Sequence, residues 1–302
     1  MYKGLVTSGC SFSESTGCLD YTKFDIEHNK WQTYSGYKSW PYHLEDSIDG
    51  KVYNKAMPGA GNGYITRATI NKCEELLSKG IKIDYVFVQW TSFDRVDLLI
   101  DRNFIVEGSD DWNLQCHFDS YFDTTFDVTN GKARKSKDAV FYHERLEKFN
   151  SNHSWVKHSY SDNSLQKHWY KYYSTPESSM VYGLENMTRL MWYLESKKID
   201  YKFFCGWNII RESGLQKIPR EPHDVRFLWN MIDWKRWWFH RGSKSSTGGI
   251  TEWSQDYFDN EADCYVTGDR KDDNGSWLDQ HPSDIAHKKF AEEVVLKWIK
   301  KN

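Results

Sequence analysis

The sequence predicts an α/β fold: a three-layer α/β/α sandwich on a mostly parallel sheet of about five strands. Three observations predict it. Short apolar runs alternate with amphipathic helical stretches along the 302 residues. The strongest run, Ile83 to Trp90, is almost uninterrupted in apolar residues, as a parallel strand covered on both faces requires. The first run ends in a turn of small residues, Ser8-Gly9-Cys10-Ser11, at the kind of sheet edge where such folds bind ligands.

Taken in order, residues 3–8 read as a short buried strand. Residues 39–48 read as a helix with Trp40, Leu44 and Ile48 on one face, and Pro41 suits its first turn. Val52-Tyr53-Asn54 is a second strand. Gly59 to Gly63 forms a loop before a helix from Tyr64 to Ser78, which Gly80 is placed to cap. Ile83 to Trp90 is the central strand. Residues 181–197 carry a helical stripe of Leu184, Met187, Leu190, Met191 and Leu194. Tyr201 to Cys205 is another apolar strand. Ser283 to Lys300 closes the order as a helix. Ser283 caps it, and Ile285, Phe290, Val294, Val295 and Trp298 are expected to face inward.

Two segments break the rhythm. Residues 101–178 and 208–276 are polar, aromatic-rich and weakly periodic, and Trp229, Trp234, Trp237 and Trp238 cluster in the second. They read as insertions in one domain over 1–302, whose core is 1–100, 179–207 and 277–302.

Composition narrows the function. A net charge of −3 argues against bulk nucleic-acid binding, which needs a basic surface. Six cysteines without a C-x-x-C pair exclude a zinc ribbon or thioredoxin-like motif, and reduced thiols are expected. No apolar stretch approaches the ~18–20 residues of a membrane span, and no leader-like apolar segment opens the sequence. The expectation is a cytoplasmic protein with no membrane partner, able to leave by lysis or within a particle. Aromatic residues make up 17% of the chain, with 15 Trp. That share leaves two readings open: packing, or flat platforms for sugars.

Three motifs are candidates for chemistry. Ser11, after the first strand, is placed as an exposed nucleophile, and a serine hydroxyl needs an adjacent base. His281, in Asp279-Gln280-His281-Pro282-Ser283 before the last helix, is placed to supply it, with Asp279 to fix its tautomer. The loop from Asn54 to Asn62 includes Gly59, whose N–H is placed for an oxyanion. A dinucleotide loop is excluded there, because Gly59, Gly61 and Tyr64 fail the third glycine of G-x-G-x-x-G. No Walker A, H-E-x-x-H or EF-hand pattern occurs, so no cofactor or metal is expected.

The order of these motifs resembles the SGNH/GDSL hydrolases, particularly the divergent phage and bacterial members with a Gly-Cys-Ser-Phe turn, a Gly-x-Gly-Asn loop and an Asp-x-His-Pro-Ser ending. The resemblance covers roughly the first hundred residues, 180–206 and the last 25. It implies a flavodoxin-like sandwich and a serine esterase. Ser11, His281 and Asp279 would be catalytic, and the N–H groups of Ser11 and Gly59 would form the oxyanion hole. Cys10 stands where the family has aspartate, and is itself an alternative nucleophile. The family's third-block asparagine is missing from Gln89-Trp90-Thr91-Ser92-Phe93-Asp94-Arg95. Thr91, Ser92 or Asn62 would have to donate in its place, while Trp90 and Arg95 would shape the substrate pocket. Asp279 stands two residues before His281, where the family has three. The implied partner is a small-molecule or glycan ester, an O-acetyl sugar being the first choice. A non-catalytic binding or structural protein and a sugar O-acyltransferase are the alternative functions.

Overall fold

In the computed structural model, residues 4–14, 21–25, 30–34, 38–48, 50–57, 60–101, 124–127, 132–135, 153–158, 172–173, 175–213, 224–242, 246–265 and 281–300 are described. The main sheet is built from β1 (Leu5–Ser8), β4 (Val52–Asn54), β5 (Tyr85–Trp90), β10 (Asp200–Cys205) and β11 (Trp237–Trp238). Its order is β11-β10-β5-β1-β4, and every pairing is parallel. Three antiparallel ribbons lie apart from it: β2 (Tyr21–Asp25) with β3 (Lys30–Tyr34), β6 (Val96–Asp101) with β9 (His153–His158), and β7 (Thr124–Asp127) with β8 (Lys132–Lys135).

All six residues of β5 are buried, which is why its run lacks the alternation of a half-exposed strand. Its side chains alternate between two cores. On one face Val86, Val88 and Trp90 join Val6, Tyr201 and Phe203 under α3 (Asn62–Ser78), α4 (Pro176–Ser196) and α6 (Asp224–Met231). On the other, Tyr85 and Phe87 join Leu5 and Phe204 under α2 (Trp40–Ser47), α7 (Ile250–Tyr257) and the C-terminal helix. Helices therefore cover both faces, the three-layer arrangement expected.

Several boundaries have distant causes. α3 begins at Asn62, two residues earlier than its periodicity suggests, because the Asp97 carboxylate accepts the Tyr64 N–H. A carboxylate there also meets the positive end of the helix dipole. α4 begins at Pro176, ahead of the expected 181, because Thr175 and Ser178 form a reciprocal capping box around a first-turn proline. Gly80 follows the end of α3 with φ +71°, a left-handed conformation that suits glycine.

The C-terminal helix runs as α9 (Asp284–Phe290), a π-helical turn (Ala291–Val295) and α10 (Leu296–Lys300). Ile285, expected to face inward, is half exposed. Ala286, His287 and Phe290 take the buried stripe instead, which puts Ile285 on the opposite side of the helix.

β11 comes from within residues 208–276, read from sequence as an insertion. Trp237 packs with Trp90 and Phe203 on one face of the sheet, and Trp238 with Phe290 and Trp298 on the other. Trp229 and Trp234 pack against the same core. Among the described residues, no helix is long and apolar enough to cross a membrane.

Candidate active site

β1 lies between β4 and β5, so the chain crosses from one side of β1 to the other after β4. Such a reversal opens a crevice at the carboxyl ends of the strands. Ser11 follows β1 there, as the first residue of the one-turn helix α1 (Ser11–Glu14). A helix leaves its first N–H groups without intrahelical partners, and that of Ser11 is among them.

The turn is held from below. Gln89, fully buried at the end of β5, accepts the Cys10 N–H at 3.1 Å and the Ser13 hydroxyl at 3.3 Å, and donates to the Trp90 carbonyl at 2.7 Å. Ser13 Oγ accepts the Trp40 indole N–H at 2.8 Å, and the Ser13 carbonyl accepts Asn54 Nδ2 at 2.6 Å. A Cβ on Gly9 would sit 2.7 Å from both Gln89 Oε1 and Ser13 Oγ, so only glycine lets the turn close on this network.

His281 arrives from 270 residues away. Its loop is pinned by a bridge between Pro282 and Tyr265 and by the Ser283 N–H donating to the Cys264 carbonyl at 2.9 Å. Ser283 Oγ caps α9 by accepting the Ala286 N–H at 3.0 Å. The result is a hydrogen bond of 2.6 Å between Ser11 Oγ and His281 Nε2. The Phe12 ring packs edge-on to His281, with centroids 5.0 Å apart. Ser11 is 8% exposed and His281 half buried. The geometry is that of a hydroxyl beside its base.

Behind His281 lies a second imidazole. His287 is buried in α9, and its pKa is lowered to about 3 by burial, with smaller contributions from His43 and His281. It is therefore neutral at physiological pH.

The remaining predicted residues separate. Thr91 follows β5, and its hydroxyl is buried without a hydrogen-bond partner among the described residues. Its N–H donates to Asn62 Oδ1, and Asn62 Nδ2 donates back to the Thr91 carbonyl, both at 3.2 Å, with a further contact to the Ser92 carbonyl at 3.4 Å. Asn62 is thus a brace for the Thr91 turn rather than a free oxyanion donor. Trp90, expected to line a pocket, is fully buried, because both faces of β5 are covered. Arg95 is half buried at the same edge of the sheet. Gly59 and Asp279 lie outside the described residues. The chain on either side of Gly59 is fixed near the site by Met57 N–H donating to the Gly9 carbonyl and Ala60 N–H to the Met57 carbonyl, both at 3.1 Å.

Gln89 is the residue that sequence reasoning passed over. A polar side chain closing an otherwise apolar buried run was its one available signal. Among the described residues, no group of three His, Cys, Asp or Glu side chains is placed to hold a metal. Among the described residues, Cys10, Cys73, Cys205 and Cys264 are buried and in no disulfide.

These features define an α/β sandwich that carries a serine–histidine pair at the carboxyl edge of its sheet. Compared by sequence, the chain matches no protein-family model and no curated protein.

Proposed function

We propose that this chain is a serine ester hydrolase of the SGNH type. The observation that carries the reading is the 2.6 Å hydrogen bond between Ser11 and His281 at the switch point of the sheet. In the reaction, Ser11 Oγ attacks the acyl carbonyl while its proton passes to His281 Nε2. The resulting oxyanion is held by the N–H groups of Ser11 and Gly59 and by the Thr91 hydroxyl. The C–O bond to the alcohol then breaks, the alcohol takes the proton from His281, and the acyl group remains on Ser11. Water, deprotonated by His281, attacks this acyl-enzyme; the bond to Ser11 Oγ breaks, Ser11 takes back the proton from His281, and the acid leaves. Asp279 orients the imidazole and stabilises its charged form.

A second reading is a binding protein that retains the fold without turnover. The low exposure of Ser11 and the commitment of the Asn62 amide to Thr91 favour it. Trp229, Trp234 and Trp237 pack on one core and Trp238 on the other, so packing accounts for their place in the second insertion.

Hydrolysis of p-nitrophenyl acetate by the wild type, Ser11→Ala and His281→Ala separates the two readings. The hydrolase reading expects turnover that falls by about 10³-fold or more in either variant while far-UV dichroism is unchanged. Turnover indifferent to both changes, or none in the wild type, leaves the binding reading.

A further inference from the structure

Three side chains outside the reacting pair share its edge of the sheet and form a continuous wall. Phe12 touches His281 on one side and the Trp207 ring on the other, with centroids 5.5 Å apart. The Arg95 guanidinium lies over Trp207, 5.3 Å from the ring centre. Arg95 leaves the turn after β5, Trp207 the turn after β10, and Phe12 the turn after β1. Each therefore sits where an open α/β sheet receives its ligand.

Arg95 differs from three other arginines of the described residues. Arg67, Arg236 and Arg241 each face a carboxylate. Arg95 Nη1 is buried and has no hydrogen-bond partner among the described residues. A buried N–H of a cation left without a hydrogen-bond partner is costly, and stacking on an aromatic face offsets only part of that cost. The planar fork of a guanidinium matches a carboxylate with two parallel hydrogen bonds.

Resting on the reading of Ser11 and His281 as the reacting centre, we infer that the ester substrate carries a carboxylate, which Arg95 binds while the ester reaches Ser11 along the Phe12–Trp207 wall. The preferred substrates are half-esters of dicarboxylic acids or acyl esters of acidic alcohols, rather than neutral acetates.

The test compares two esters with the same leaving group, p-nitrophenyl acetate and mono-p-nitrophenyl glutarate. The wild type should favour the glutarate in kcat/KM by about tenfold or more, the worth of one well-made charged contact. Arg95→Gln should remove that preference, and Arg95→Lys should retain part of it as a point charge. No preference in the wild type, or a preference that survives in Arg95→Gln, overturns the inference.

A binding arm stands apart from turnover. Calorimetry on Ser11→Ala compares monomethyl glutarate with dimethyl glutarate, with and without Arg95→Gln. Selective binding of the acid, lost with Arg95→Gln, supports the subsite even if the wild type hydrolyses nothing. Equal binding of the two esters, or binding of neither, overturns it. Turnover that persists in Ser11→Ala overturns the hydrolase reading alone.

Discussion

Thr91 is the residue at which stability and chemistry point in opposite directions. Its hydroxyl is buried without a hydrogen-bond partner among the described residues, a state that costs about 1–3 kcal/mol. Thr91→Val keeps the shape and removes the hydroxyl. If the hydroxyl serves only packing, the variant gains stability and loses nothing. As an oxyanion donor, it leaves behind a protein that is at least as stable but about 10²–10³-fold slower on p-nitrophenyl acetate. Urea midpoints and kcat measured together decide the matter, and a more stable variant with undiminished kcat removes Thr91 from the mechanism. The meeting of Ser11 and His281 was legible at this scale, because each follows a short sequence signal: small residues after a strand, and His-Pro-Ser before a helix. The bracing roles of Gln89 and Asn62 were not legible. Each bonds to groups 29 residues away or more, and nothing near it in sequence announces such a partner.

Elements differ in how far their own residues explain them. β5 was readable because burial on both faces leaves an apolar run. The starts of α3 and α4 were misread, one because its cap comes from Asp97 in another element, the other because a capping box extends the helix past its apolar stripe. In α9 Phe290 faces inward as read, but Ile285 faces out and a histidine lies in the core beside it. That histidine has a measurable consequence. With a folded pKa of about 3 and an unfolded value near 6.5, His287 binds its proton more readily in the unfolded chain. Its contribution to stability is complete above about pH 6.5 and declines as pH falls towards 3, by at most ~1.4 kcal/mol per pH unit. His287→Leu has no such proton to take up. Urea midpoints between pH 7 and 4 should fall more steeply for the wild type than for the variant, and parallel curves would refute the assignment.

For the whole molecule, the question is whether residues 208–276 are an appendage or part of the fold. β11 adds an edge to the sheet, and Trp237, 5% exposed, is packed on Trp90 and Phe203. Trp237→Ala should therefore cost about 3–5 kcal/mol. The loss should appear in a single transition seen alike by far-UV dichroism and tryptophan fluorescence. A loss under about 1 kcal/mol, or two separate transitions, would mark the segment as an independent unit. Its place was hidden in the sequence because a two-residue strand is too short to show periodicity. The distance along the chain between Ser11 and His281 has a consequence in time. At about 5–20 residues per second on the ribosome, the 270 residues between them take tens of seconds to make. Throughout that interval the nascent chain carries its serine without its histidine. The order of synthesis therefore delays the pairing: the imidazole is made only after all five strands of the main sheet.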